Sequence, residues 1–136
     1  MEQQTPGTHS ALDGLSVLVV DDHQDTVDML VAYLGVLGAA AVGSYTARGG
    51  IRLATTQAFE AVVVDLKMRG EDGWWFLREL RALRSGHAGK VPVFAISGDD
   101  RQEQAAVLDG FRAFFLKPIE LDALVAHLAS VRRQRT

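Results

Sequence analysis

The chain has 136 residues, of which 14 are basic and 17 acidic, and it carries a net charge of −3 and no cysteine. This length is typical of one domain that is stable without covalent or metal cross-links. The absence of cysteine from the sequence excludes disulfides and thiolate metal sites. The small net charge does not indicate a surface that binds nucleic acid. No apolar run approaches the roughly 18 residues that span a membrane. We therefore expect a soluble cytoplasmic domain that binds neither nucleic acid nor a membrane.

The two ends of the chain differ from its middle. The first ten residues are polar and lack the apolar core of a signal peptide. We predict a flexible tail over residues 1–13, one domain over residues 14–132 and a short tail over residues 133–136. The arginines near the end, Arg135 among them, are interpreted as solvated charges at a helix C-terminus, where cations are favoured.

Apolar segments alternate with segments of helical periodicity along the domain. The predicted strands are residues 15–20, 39–44, 58–65, 91–97 and 113–116, and the predicted helices are residues 27–37, 48–56, 76–85, 100–109 and 121–131. Such alternation predicts an α/β domain built from βαβ units, with right-handed crossovers and a parallel sheet. Because the long strands are apolar throughout, helices are expected on both faces of the sheet.

The run Ala61-Val62-Val63-Val64-Asp65 is the most informative of these segments. Four apolar residues, three of them β-branched, are typical of a strand that is buried on both faces. A carboxylate in the middle of such a strand would be costly to bury. At the carboxyl end, however, Asp65 lies where open α/β sheets have their crevice, which is the usual place for a site.

Other predicted strands also end in chemically active groups: the first at Asp21 and Asp22, the fourth at Ser97 and the fifth at Lys117. Gathered at one edge, the carboxylates would repel one another and raise each other's pKa, and their hard oxygens suit Mg²⁺. A metal, a lysine and a hydroxyl around a nucleophilic carboxylate are the groups that phosphoryl transfer needs. Each feature alone is also explained by a helix cap or a turn, but their coincidence at separate strand ends favours a site.

At these residues the sequence resembles the response-regulator receiver domains of bacterial two-component signalling. The matching segments are Val17-Leu18-Val19-Val20-Asp21-Asp22, Val64-Asp65-Leu66-Lys67-Met68 with Asp72-Gly73, Ala95-Ile96-Ser97-Gly98 and Phe114-Phe115-Leu116-Lys117-Pro118. The likeness covers residues 15–131. It implies a flavodoxin-like, doubly wound (βα)5 fold with the strand order 2-1-3-4-5.

The resemblance implies a magnesium site and a phosphoacceptor. Asp65 would accept the phosphoryl group. Asp22 would bind Mg²⁺ directly and Asp21 partly through water, while Asp65 and the backbone carbonyl of Lys67 would complete the protein ligands. Arg69 stands where the family commonly has proline, which predicts a more mobile loop after Asp65.

The resemblance also implies a switch. Ser97 would hydrogen-bond one phosphoryl oxygen and Lys117 would pair with another, and the bond between Lys117 and Pro118 would be cis. Phe114 corresponds to the family's switch aromatic, which turns inward when Ser97 is drawn toward the phosphoryl group. Because Phe114 stands where the family frequently has tyrosine, the switch would be purely steric.

Partners follow from the same resemblance. The donor would be the phosphohistidine of a histidine kinase or of a histidine phosphotransfer protein. Phosphorylation would change contacts with a downstream protein or a fused output domain through the face of the fourth helix, fifth strand and fifth helix, where a homodimer is also expected. The domain would catalyse only its own phosphorylation and autodephosphorylation, and we do not expect it to be an enzyme in any other sense.

Two other functions stay open at this point. One is a receiver-like binding module that acts without phosphorylation. The other is a Mg²⁺-dependent phosphatase with an aspartyl nucleophile, which needs a second acid two residues after that nucleophile to protonate the leaving group. Position 67 is lysine, which argues against the phosphatase.

Some side chains near the predicted site have two interpretations each. Lys67 and Asp99 either form a salt bridge across the site or are exposed charges that contribute little. Trp75 either marks a partner surface or is an ordinary exposed aromatic. His23 either reaches the metal's water shell or begins the first helix, which is the interpretation we favour.

Overall fold

The computed structural model describes residues 11–83 and 86–135. Its strands are β1 (Ser16–Val20), β2 (Ala40–Ser44), β3 (Ala61–Asp65), β4 (Val93–Ser97) and β5 (Ala113–Leu116), and its α-helices are α1 (Gln24–Val36), α2 (Ala47–Thr56), α3 (Gly73–Ala82), α4 (Glu103–Asp109) and α5 (Leu121–Arg133). The strands form one parallel sheet in the order β2-β1-β3-β4-β5. The predicted flavodoxin-like fold is confirmed.

Strand β3 lies in the middle of the sheet, and all its residues are buried. Successive side chains of a strand point to opposite faces, so Val62 and Val64 pack with the core beside α3, whereas Val63 packs with the core beside α1 and α5. The two hydrophobic layers hold β3 from both sides. They thereby fix the position of Asp65 at its carboxyl end.

The start of α3 is built closely against the end of β3. The Asp72 side chain accepts a hydrogen bond from the Trp75 N–H at 2.9 Å and so caps the helix. A Cβ atom at Gly73 would lie 2.5 Å from the Asp65 carbonyl oxygen and 2.8 Å from the Cα of Leu66. Only glycine therefore lets the helix begin this near to the strand, which positions the loop beside Asp65.

The packed region extends past both predicted boundaries. Leu12 was assigned to the tail, but it is fully buried and its N–H donates to the Leu37 carbonyl at 3.0 Å. At the other end, Arg135 is exposed as predicted, and its guanidinium also pairs with Glu60 at 2.8 Å. Leu37 and Glu60 precede β2 and β3, so both contacts lie at the amino-terminal edge of the sheet. Residues 1–10 of the predicted tail lie outside the described residues.

Within residues 11–83 and 86–135, none of the helices combines the length and the apolar character that crossing a membrane would require.

Candidate functional site

The carboxyl ends of β1, β3, β4 and β5 place four of the predicted groups at one edge of the sheet. Asp21 is fully buried, and Asp65 and Ser97 are 3% and 1% exposed. Lys117 follows β5 and reaches the same edge, and the peptide bond between Lys117 and Pro118 is cis. The structure thus brings together side chains that are up to 96 residues apart in the chain.

Lys117 bridges two of the carboxylates. Its Nζ donates to Asp21 Oδ2 at 2.9 Å and to Asp65 Oδ2 at 2.8 Å. Burial by itself would lower the pKa of the Lys117 ammonium group, but the hydrogen bonds to Asp65 and Asp21 outweigh it, and the pKa lies above its ordinary value. Lys117 is therefore a fixed positive charge at this site.

The negative charge on the Asp65 carboxylate remains unfavourable in spite of the ion pair with Lys117. Burial raises the pKa of Asp65 most, and the nearby Asp21 charge adds to the rise. Hydrogen bonds from Lys117 and from the backbone N–H of Lys67, the latter at 3.1 Å, lower it less. One cation shared between two buried carboxylates leaves excess negative charge, which favours an additional cation at this position.

Asp22 has a partner that the sequence did not reveal. Its Oδ2 accepts a hydrogen bond from the backbone N–H of Arg69 at 2.9 Å and another from Arg69 Nε at 3.4 Å. Burial raises the pKa of Asp22, but these Arg69 contacts outweigh it, and the pKa lies below its ordinary value. Proline at position 69 would have no N–H to donate. Arg69 thus ties the loop to the end of β1, contrary to the mobile loop that we predicted.

The acidic side chains together form a cluster that can hold a cation. Ligand atoms of Asp21, Asp22, His23 and Asp65 all lie within 4.8 Å of one another. Ligands on opposite sides of an ion, bound at about 2.1–2.4 Å, lie about 4.2–4.8 Å apart. The cluster therefore has the dimensions of a metal site. The predicted role of the Lys67 carbonyl stays a prediction.

Ser97 is held by the loop that follows β4. Its hydroxyl donates to Gln102 Oε1 at 2.6 Å and accepts a hydrogen bond from the Asp99 N–H at 3.0 Å. Phe114, on the neighbouring β5, is half-buried and packs against the core beside α3. Gln102 was missed because a glutamine in the polar first turn of a predicted helix carries no signal in the sequence for such a contact.

Of the two interpretations of Lys67 and Asp99, the salt bridge between them does not form. Asp99 instead pairs with Arg101, whose Nε lies 2.9 Å from Asp99 Oδ1, and the Asp99 side chain also accepts from the Arg101 N–H. A partner two residues away needs less ordering of the chain than one across a loop. Asp99 is thus paired with Arg101, and Lys67 is an exposed charge that makes no salt bridge with it.

Trp75 is half-buried rather than exposed as we expected. The guanidinium carbon of Arg48 lies 5.3 Å from the centroid of its ring, a distance typical of a cation–π contact. Arg48 also pairs with Glu71 at 3.1 Å. These contacts join α2 to α3 and explain the tryptophan as part of the fold. His23 begins α1 as its N-cap residue, as we favoured.

The family model of the response regulator receiver domain matches residues 17–129. This chain belongs to the response regulator receiver domain family. The domain is therefore a receiver domain of two-component systems.

Individual relatives agree with this assignment. The receiver domain is 31% identical to an uncharacterized 14.6 kDa protein of Leptolyngbya boryana, over 78% of this chain and 81% of that protein. It is 25% identical to the transcriptional regulatory protein HprR of Escherichia coli K12, over 88% of this chain but only 52% of HprR. The chain thus spans about half of HprR.

Solved structures show the same receiver fold. The receiver domain of the histidine kinase CKI1 of Arabidopsis thaliana, complexed with Mg²⁺ and BeF₃⁻, superposes with a TM-score of 0.78 at 22% identity. The match covers 95% of this chain and 97% of the CKI1 domain. At this identity the likeness establishes the fold, and the chemistry of the site has to be argued from the residues of this receiver domain.

Proposed function

We propose that this receiver domain is a phosphorylation-dependent switch. In a Mg²⁺-dependent reaction, Asp65 takes the phosphoryl group from the phosphohistidine of a histidine kinase or a histidine phosphotransfer protein. The observation that carries the proposal is the surroundings of Asp65: a buried carboxylate with the Lys117 Nζ at 2.8 Å and further acidic ligand atoms within 4.8 Å. Histidine kinases and phosphotransfer proteins are the partners proposed for phosphoryl supply.

The residues of the site fit Mg²⁺. Asp21, Asp22 and Asp65 offer hard carboxylate oxygens, the ligands that this ion prefers, and the backbone carbonyl of Lys67 is the further ligand that membership of the family implies. Two buried carboxylates share one lysine, so the site carries negative charge that a divalent ion would neutralise. When bound, the ion would supply charge stabilisation to the oxygens of the incoming phosphoryl group.

The remaining steps fall to side chains of the chain itself. An oxygen of Asp65 forms a bond to phosphorus, and the bond from phosphorus to the donor's imidazole nitrogen breaks, with its electron pair returning to that nitrogen. Lys117 is already 2.8 Å from Asp65, so it meets the negative charge on the phosphoryl oxygens without moving far. Pre-positioned charge of this kind is usually the largest contribution to such reactions.

Phosphorylation would then change the conformation of the loop after β4. The phosphoryl group carries a charge of roughly −1.5 to −2, which replaces the single charge of the Asp65 carboxylate, and it competes with Gln102 for the hydroxyl of Ser97. If Ser97 turns to the phosphoryl group, the loop moves with it and Phe114 repacks on β5. The face of α4, β5 and α5 exposes Val107, Leu108 and Leu116, which suits altered contact with a downstream protein, a fused output domain or a second copy.

The proposal is tested by incubating the protein with Mg²⁺ and acetyl phosphate and measuring the intact mass. We expect one phosphoryl group per chain, and none when the divalent ion is chelated. Steady release of phosphate from phosphomonoesters would instead indicate a phosphatase. Absence of any Mg²⁺-dependent mass gain would overturn the proposal in favour of a binding module that acts without phosphorylation.

Substitution of Arg69 by alanine should strengthen Mg²⁺ binding. Because the Arg69 side chain competes for Asp22 and adds positive charge beside the proposed metal site, its removal should lower the dissociation constant roughly 1.5- to 5-fold, the range of an exposed ion pair. Isothermal titration calorimetry measures this directly. Arg112→Ala, at the amino-terminal end of β5, is the matched control, and equal affinities for all three proteins would show that Arg69 does not compete.

A further inference from the structure

His23 lies directly beside the carboxylate cluster. Its Nδ1 is 3.7 Å from Asp21 Oδ1 and 3.7 Å from Asp22 Oδ1. The His23 side chain is 74% exposed. The imidazole is thus at the open rim of the cluster, where an ion from solution would first meet it.

The backbone fixes His23 in this position. Its N–H donates to Asp21 Oδ1 at 2.9 Å, and its carbonyl accepts hydrogen bonds from the N–H groups of Thr26 and Val27 at the start of α1. The side chain itself makes no capping hydrogen bond. Main-chain contacts therefore hold the His23 backbone beside the carboxylates, and no capping hydrogen bond occupies its ring nitrogens.

The two oxygens of Asp22 face different neighbours. Oδ2 is taken by Arg69, whereas Oδ1 is the atom that faces the His23 ring. Two atoms bound to one ion at about 2.1 Å can be at most about 4.2 Å apart. The separation of 3.7 Å between His23 Nδ1 and Asp22 Oδ1 therefore allows both to bind the same ion without movement of the backbone.

An imidazole changes which ions such a site prefers. Carboxylate and carbonyl oxygens suit Mg²⁺, whereas imidazole nitrogen suits zinc, copper, iron and nickel. Mg²⁺ also keeps several of its waters and gains little from a nitrogen ligand. A nitrogen at the rim of three carboxylates should thus strengthen the binding of transition-metal ions and leave Mg²⁺ almost unaffected.

We propose that His23 is an additional ligand, through Nδ1, that makes this site bind first-row transition-metal dications such as Ni²⁺ and Co²⁺ together with Asp22 and Asp65. The inference rests on the cation site of the proposed function and names further ions that the site accepts. It assigns to His23 a role in ion selection rather than in phosphoryl transfer.

The test is calorimetric titration of the tag-free chain with Ni²⁺, Co²⁺ and Mg²⁺ in separate experiments. His23→Ala should weaken Ni²⁺ and Co²⁺ by at least the roughly 10- to 100-fold that loss of even an outer-shell partner costs, with Mg²⁺ unchanged. His127→Ala, at an exposed histidine of α5, is the matched control and should change none of the three. Visible absorption of the Co²⁺ form gives a second readout, because loss of a nitrogen ligand alters its bands.

Two outcomes would overturn the inference. Unchanged Ni²⁺ affinity in His23→Ala would show that the ring is not a ligand. Equal weakening of Ni²⁺ and Mg²⁺ would show that the substitution disturbs the carboxylates and not ion selection. Failure of the proposed function is distinguishable, because it would appear as absence of Mg²⁺-dependent phosphorylation in the wild type, whatever the His23 variants do.

Discussion

An Asp65→Asn variant should unfold at a higher temperature than the wild type at neutral pH, and it should accept no phosphoryl group. Asparagine keeps the shape of the side chain and an oxygen for Lys117, but it removes a buried charge next to Asp21. Lys117, which pairs with Asp21 at 2.9 Å in the wild type, should keep that partner in the variant. The gain in stability and the loss of reactivity thus have the same origin.

The sign follows from the pKa of Asp65, which is raised by burial above its ordinary value of 3.8. The folded protein therefore holds this proton more tightly than the unfolded chain, so stability falls as pH rises from 3.8 through the raised pKa of Asp65. The advantage of Asp65→Asn should be absent below that window and fully present above it. Each kcal/mol gained corresponds to about 2–8 °C in domains near this size.

Thermal unfolding followed by circular dichroism, in buffer with a chelator and at several pH values, measures this difference. Glu120→Gln is the matched control, because it neutralises an exposed carboxylate that makes no capping hydrogen bond. A variant that is less stable than the wild type at neutral pH would show that the Asp65 charge is well compensated in the fold. That result would contradict our account of the site's electrostatics.

A Lys117→Met variant should show the opposite change in stability. Methionine fills similar space but leaves Asp21 and Asp65 buried without a cation, and breaking a buried ion pair from one side costs roughly 3–5 kcal/mol. The loss should shrink as the pH falls and protons take the place of the ammonium group. The rate of phosphorylation by acetyl phosphate should fall about 10²- to 10³-fold, the usual effect of removing one pre-positioned donor.

The double variant Lys117→Met, Asp65→Asn separates the two effects. It should recover much of the lost stability, because the lone charge of Asp65 is gone, yet it should remain unable to take a phosphoryl group. Lys90→Met, at an exposed lysine that ends a one-turn helix before β4, controls for the substitution itself. A Lys117→Met protein that is phosphorylated at the wild-type rate would remove Lys117 from the proposed mechanism.

The strands, the helices and the parallel sheet could be predicted from the sequence because their signals are local, whereas the strand order was implied by the family resemblance. An apolar run such as Ala61–Asp65 can be stable only between two covering layers, and a parallel sheet places the ends of such strands at one edge. The meeting of Asp21, Asp65 and Lys117 follows from that topology. Gly73 belongs to the Asp72-Gly73 segment of the family resemblance. The sequence did not show why glycine is required there, which is the close approach of α3 to the end of β3.

Partners in the loops could not be predicted, because they depend on side-chain directions and on which of several nearby groups is nearest. Arg69 was expected to loosen its loop, yet its N–H holds Asp22. Gln102 holds Ser97, and Asp99 takes Arg101 rather than Lys67. Leu12 was taken for tail because a single leucine among polar residues has no periodicity that would predict its burial.

The most direct measurement is the location of the phosphoryl group on the wild-type protein. After reaction with acetyl phosphate and Mg²⁺, borohydride reduces an acyl phosphate to an alcohol, and peptide mass spectrometry then identifies the altered residue. We expect one modified site, Asp65, and unmodified protein when the ion is chelated. Modification at Asp21 or Asp22 instead, or at no aspartate, would contradict the claim that the buried carboxylate beside Lys117 is the acceptor.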